Sequence, residues 1–387
     1  MNKGKFSILL LFFICLFINN HLAYSTILNS ENNNAPLSDE YKLSAISFNT
    51  YEYGKVNPEI SHKRVKRWLN GKPAIVNILM INPKGSYAKI KPSYGSYYID
   101  NVKRVKDIAR MEGAVAAVNA SYFKPDSGAP LGTSIINNTI ITGPLFRRVT
   151  FGITQNNEFK MDKINLSGLI TIGDKINLNL FNVNQPVFSR RSFSVFTDKW
   201  GKKTPYTSHY YSHIVVSNNI VCYVKNSRVT IPKGGYVIVG PHSLLPKSLK
   251  VGDKVSYTTK IAPEGWDDVE FAVSGGPYLV RNGKKFIDKQ MFSRSFLWNK
   301  SPRTAVGYTR AGTLILTTID GRIKGYSEGA TISELATIMH ELGCYQAMNL
   351  DGGTSTQMVY RGNLVNTPSV SGGAKVTNGL MIVLPKF

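Results

Sequence analysis

Histidine, cysteine and acidic residues are all scarce in this chain. Six histidines and three cysteines stand among 387 residues. Cys15 falls in an apolar N-terminal run, and the separation of Cys222 from Cys344 matches no zinc-ligand spacing. An oxidising compartment would permit a Cys222–Cys344 bridge, but spacing alone does not decide the geometry. His209, His213 and His242 lie where no chemical motif accompanies them, and His340 sits beside apolar positions of a predicted helix. No Ser-His-Asp set therefore assembles, and the His/Asp density of a two-metal phosphodiesterase is missing. Only 24 Asp and Glu oppose 47 Lys and Arg, a formal net charge of +23. The basic residues are spread along the chain, as in Lys63-Arg64, Arg147-Arg148, Arg190-Arg191 and Lys284-Lys285. Such a field attracts polyanions unless it is merely a solvated surface. No nucleic-acid-binding motif accompanies it, so nucleic acid is not the expected partner, and anionic lipid and a phosphate-bearing or acidic glycan both stay open.

Beyond the N-terminus there is no apolar run long enough to span a bilayer. At the N-terminus, Lys3 and Lys5 precede "FSILLLFFICLF", and Ala23-Tyr24-Ser25 offers a small-x-small cleavage site. Residues 1–25 read as a signal peptide, 26–40 as an Asn/Ser-rich flexible leader and 41–387 as the domain proper. The chain is then an exported protein (periplasmic, cell-surface or secreted) with no stable membrane insertion once the signal is cleaved.

What the chain has in quantity is short apolar runs punctuated by Gly, Asn and Pro. "AIVNILMI", "VAAVNA", "SIINNTII", "YVIVG", "FAVSGG", "TLILTTID" and "GLMIVL" all read as strands. Asn137-Asn138 predicts a hairpin turn. Helical periodicity is clear over residues 101–111 and 332–342 only. The second of these carries a capping box, Thr331 with Glu334, and a terminal Gly343. The pattern predicts an α+β fold, a β-rich single core with few helices, and a strand-rich insertion over about 159–260.

Several apolar strand ends then open into polar residues and glycine: "AAVNASYF" with Asn119 and Tyr122, "AVSGGPYLVRNGK" with Gly275 and Gly276, "SPRTAVGY" with Arg303, "TTIDGR" with Asp320 and Arg322, and "MNLDGGTST" with Asn349 and Asp351. Together with "GATISELATIM" and "GNLVNTPS", this ordered series resembles the phosphodiester glycosidase family from about residue 74 to 384, most closely after residue 271. Two features depart from the family pattern. Asp351 is followed by Gly352, Gly353, Thr354, Ser355 and Thr356 where three glycines and two serines are common, and "SGGAKVTNGL" offers only Lys375 where an acidic-arginine pair is frequent.

The resemblance implies a hydrolase that cleaves between an anomeric carbon and phosphate in a sugar-1-phosphodiester of a surface or extracellular glycan. That reaction passes through an oxocarbenium-like state, so it needs a carboxylate, with Asp351 and Asp320 as candidates. The phosphate that leaves rewards cationic or backbone donors, which points to Arg303 and secondarily Arg322. The amides of Gly352, Gly353, Thr354 and Ser355, with the two hydroxyls, would form an anion nest. Asn119 and Asn349 would bind sugar hydroxyls, beside Gly275 and Gly276. No cofactor is required, although paired aspartates at Gly-rich loops also suit Ca2+ or Mg2+. A non-catalytic module of the same fold that holds anionic polysaccharide during export or assembly is the alternative reading.

Overall fold

The computed structural model describes residues 59–174 and 176–385. The signal peptide, the leader and Cys15 lie outside the described residues, as do residues 41–58 of the domain.

Strand Lys72–Ile81 shows why its sequence is almost continuously apolar. Leu79 and Ile81 on one face enter the central core, while Ala74, Val76 and Ile78 on the other pack beneath a helix. Each of these Val, Leu and Ile side chains contributes roughly 1.5–3 kcal/mol by leaving water. This strand lies within a seven-stranded antiparallel sheet in the order Ile60–Leu69, Lys72–Ile81, Leu314–Ile319, Arg303–Tyr308, Gln346–Asn349, Tyr278–Arg281, Lys284–Lys285. The helix Ile332–Glu341 covers its outer face through Ile332, Leu335, Ala336 and Met339. Its capping box forms in both directions, Thr331 accepting from the Glu334 amide and Glu334 from the Thr331 amide.

A five-stranded sheet holds Ala116–Asn119 between Met358–Tyr360 and Gly379–Val383. A second five-stranded sheet centres on Val149–Thr154 and Val269–Ser274. Its hairpin turns at Asn137 and Asn138, whose φ values of 50° and 59° fit the left-handed turn that Asn tolerates. These three sheets share one apolar core, in which Phe151, Phe271, Leu316, Met348, Met358 and Ile382 meet.

Helix Val105–Glu112 is shorter at its start than the periodicity over 101–111 predicts. Lys103 instead pairs with Val376 through two backbone hydrogen bonds, which holds that segment extended. Strand Phe159–Lys163 pairs with Val149–Thr154 in the core. The separate seven-stranded sheet therefore runs from Asn165 to Ala262, and these two residues are register partners at its neck. Cys222 is exposed and Cys344 buried, and both are free thiols. Among the described residues no helix is long and apolar enough to cross a membrane.

Candidate active site

Antiparallel register brings the polar strand ends to one edge. Arg303 opens its strand opposite Ile319, so Asp320 leaves the sheet beside it. Asn349 lies opposite Ala305, and Met348 opposite Tyr278, which Gly275 and Gly276 precede. From the facing sheet, Asn119 ends its strand opposite Gly379. The two edges are bonded together: the Asp351 amide donates to the Ala120 carbonyl at 2.9 Å, and Asn119 Nδ2 donates to the Asp351 carbonyl at 2.6 Å.

Asp351 thus has its backbone fixed on both sides and its carboxyl at the partly exposed mouth of this edge. Burial dominates its titration and pushes the pKa up to about 7, against the pull of a Ser355 side-chain hydrogen bond, the Gly352 amide and the Arg148 guanidinium. The Gly352 amide donates to Oδ1 at 3.0 Å. A carboxyl poised near neutrality is suited to exchanging a proton with a reacting group.

The other expected residues occupy different places. Asp320 is fully buried, and its carboxylate accepts from Asn366 Nδ2 and the Thr367 amide. Burial raises it to about 6, and the charge it feels is Arg64, whereas Asp351 feels Arg148. The two aspartates therefore belong to separate hydrogen-bond sets, and Asp320 pins the 366–367 turn from inside the wall. Arg303 is 2% exposed, with Nε donating to Ala330 and Nη2 to Phe296 and Asn299 carbonyls at 2.8–2.9 Å. Burial lowers it to about 10, so it remains a cation, but one whose donors hold the short helix Arg294–Trp298 against the sheet.

Asn119 and Asn349 are also fully buried. Asn119 Oδ1 accepts from Thr304 and the Gln357 amide, and Asn349 Nδ2 donates to Tyr122 Oη and to the Gly276 carbonyl. Their amides brace the backbone where the sequence pointed to sugar contacts. The amides of Gly352, Gly353 and Ser355 are bonded within the fold, to Asp351, Pro302 and Gly352 respectively, so the loop is not an open anion nest. Ser355 is buried beneath Asp351 while Thr354 faces solvent. The glycines answer close packing: a Cβ on Gly275 would stand 2.4 Å from the Asn349 carbonyl, and one on Gly352 2.8 Å from that of Pro302. Gly276, at φ 110°, would meet Gln290 at 2.4 Å. Arg322 is exposed, its guanidinium 3.1 Å from where a Gly353 Cβ would be. Among the described residues no three His, Cys, Asp or Glu side chains gather as a metal site.

This edge, with a raised carboxyl behind two glycines at "NLDGGTST", is carried by a segment that also matches a known family. Residues 211–383 match the phosphodiester glycosidase family. The mouse N-acetylglucosamine-1-phosphodiester alpha-N-acetylglucosaminidase is 35% identical over 109 residues, 25% of this chain and 20% of that one. The human enzyme is 33% identical over a stretch of the same length. The alignment thus spans about a fifth of the length of these relatives. Among solved structures, a hypothetical protein from Synechocystis superposes with a TM-score of 0.77 at 25% identity, covering 84% of this chain and 62% of that one. The zebrafish N-acetylglucosamine-1-phosphodiester alpha-N-acetylglucosaminidase catalytic domain, auto-inhibited by its pro-peptide, shares the fold at TM-score 0.50 and 15% identity, with 86% of each chain covered.

Two site residues precede the segment matched to the phosphodiester glycosidases, and the sequence reading did not assign them a role. Tyr122 donates to the Gly276 carbonyl at 2.8 Å, and burial raises its pKa. Arg148 lies against the rings of Tyr122 and Phe292 and attracts Asp351. In sequence, Arg148 is one of many paired basic residues. Its place directly before the strand Val149–Thr154, whose first carbonyl accepts from the Gly275 amide, is the signal that sets it apart.

Proposed function

We propose that the protein is an exported hydrolase of sugar-1-phosphodiesters, breaking the bond between the anomeric carbon and the phosphate oxygen. The observation that carries this reading is Asp351: a carboxyl fixed at a strand end, raised to about 7 by burial, at the mouth of an edge where the Arg148 cation attracts it. In its ionised form Asp351 serves the anomeric centre, either as the base that takes a proton from attacking water or as the group that stabilises positive charge on the sugar. The C1–O bond breaks with its electron pair going to the phosphate, which departs as a monoester anion, and the water oxygen becomes the new C1 hydroxyl. A phosphate departs without the protonation an alcohol requires, so one carboxyl suffices where ordinary glycosidases use two.

The family match and the relatives' names support the reaction class, and the +23 charge supports an anionic glycan as the substrate's carrier. Export is supported by the N-terminal pattern. A structural neighbour, a candidate exported protein of Burkholderia pseudomallei, shares the fold at TM-score 0.69 and 20% identity.

Hydrolysis of a sugar-1-phosphodiester in 18O-labelled water tests the reading. Label recovered in the free sugar, with an unlabelled phosphomonoester as the second product, is expected. Label in the phosphate would mean P–O cleavage and overturn it. No product from several such diesters would favour the polysaccharide-binding alternative.

A further inference from the structure

Arg148 is a largely enclosed cation at this edge that the fold leaves without a hydrogen-bond acceptor. Its guanidinium carbon lies 3.8 Å from the Phe292 ring centre, 4.8 Å from that of Tyr122 and 5.6 Å from that of Phe146. Nε and Nη1 are buried without a hydrogen-bond acceptor. Among the described residues, no hydrogen bond or ion pair engages Nη2 either. Asp351 attracts it without forming an ion pair. Aromatic faces stabilise a cation while leaving its N–H groups free, so the cage holds Arg148 charged but does not satisfy it. A buried donor left unpaired carries a desolvation cost, which an arriving anion would recover.

The cage is itself anchored. Gln290, two residues before Phe292, accepts from the Val149 amide and donates to Asp288, tying the 288–292 loop to the strand that follows Arg148. Arg303, by contrast, has Nε and Nη2 on carbonyls.

We propose that Arg148, in the ring cage of Phe292, Tyr122 and Phe146, is the phosphoryl-binding cation of this site, placing the phosphate on the side of Asp351 that faces these rings. Nη2 is the guanidinium nitrogen that is not enclosed and gives an arriving phosphate its first donor, and the adjoining Nε–H or Nη1–H completes a fork with a second oxygen. This rests on the reading of Asp351 as the reacting carboxyl, but binding can be measured without turnover.

Dimethyl phosphate, which stays a monoanion through neutral pH, stands for the diester, and inorganic phosphate stands for the leaving group. Titration of the full chain followed by 31P NMR at low ionic strength gives the affinity for each. Arg148→Gln is expected to weaken both at least tenfold, the loss of a charge-assisted pair. Arg148→Lys should fall between, and the neighbouring Arg147→Gln should stay within about twofold of wild type, as expected for a screened surface charge. Near-UV circular dichroism and melting curves confirm that the variants fold. The proposal is overturned if Arg148→Gln binds as wild type does, if Arg147→Gln loses as much, or if wild type binds neither probe at millimolar concentrations. Arg148-dependent binding with no turnover of any sugar-1-phosphodiester would leave the anion site standing and remove the hydrolase reading. Turnover that survives Arg148→Gln would do the reverse.

Discussion

Replacing Asp351 by asparagine separates what its charge costs the fold from what it does for the reaction. In the folded chain Asp351 keeps its proton up to a pKa of about 7, against 3.8 for an unperturbed carboxyl. At 1.36 kcal/mol per pKa unit, this corresponds to ~4 kcal/mol by which ionising Asp351 destabilises the native state, with solvent at its exposed edge screening part of it. The folded-state pKa is raised, so the wild type is undisturbed below about pH 4, loses stability as pH climbs from about 4 to 7, and stays at the lower level above. Asparagine has nearly the same shape, can still accept the Gly352 amide and never ionises. At ~2.1 cal/mol/K of unfolding entropy per residue, a domain of this size shifts its Tm by ~1.5 °C per kcal/mol. The Tm of Asp351→Asn relative to wild type is therefore expected to rise by several degrees, at most ~6 °C, between pH 4 and pH 8, while turnover falls to background. Melts across that range, with product assays on the same preparations, measure both. A Tm difference that does not change with pH would refute the electrostatic argument. Activity within about tenfold of wild type would refute the catalytic one.

Arg303→Lys loses the fork that holds the Ala330, Phe296 and Asn299 carbonyls. It is expected to cost roughly 2–4 kcal/mol in urea unfolding while leaving the kcat of the folded fraction nearly unchanged. A large fall in kcat at wild-type stability would instead restore Arg303 to the chemistry. Thr331→Ala removes one half of the capping box and should lower stability by about 1 kcal/mol without altering activity; an unchanged urea midpoint would show the cap to be idle. Binding of an acidic polysaccharide should weaken markedly between low and moderate salt, since exposed charges are screened beyond ~10 Å at 0.1 M. Salt-independent binding would detach the basic surface from recognition.

Local chemistry made much of the fold legible. The Thr331–Glu334 box, the Asn137-Asn138 turn and the apolar runs of the central strands all depend on near neighbours in sequence, and each stands where its pattern places it. The site was legible only as a set of strand ends. Sequence showed that Asp320, Arg303, Asn349 and Asp351 leave strands, but which way each side chain faces is set by register between segments far apart. Register turned Asp320 and Arg303 inward onto backbone groups and left Asp351 at the mouth. Arg148 was hidden for a related reason. Its environment is made by rings at 122 and 292, and in sequence only its place directly before the strand Val149–Thr154 distinguishes it from Arg147. The start of helix Val105–Glu112 was misplaced because the competing partner, Val376, lies in the last part of the chain.

The bond from Asn119 to the Asp351 carbonyl closes a loop of 232 residues. With the Asp351 amide on the Ala120 carbonyl, two N–H donors and two carbonyls thus weld residues in the early part of the described chain to residues near its end, at the spot where chemistry is proposed. The matched segment cannot hold the site by itself: the piece from 211 to 383 carries Asp351 but not the Ala120 carbonyl that receives its amide, nor Asn119, Tyr122 or Arg148. Contacts between residues so far apart in sequence must meet the loop-closure entropy before they are rewarded, which slows their formation. Turnover would therefore report the docking of the two sheets, and a half-folded chain would be silent.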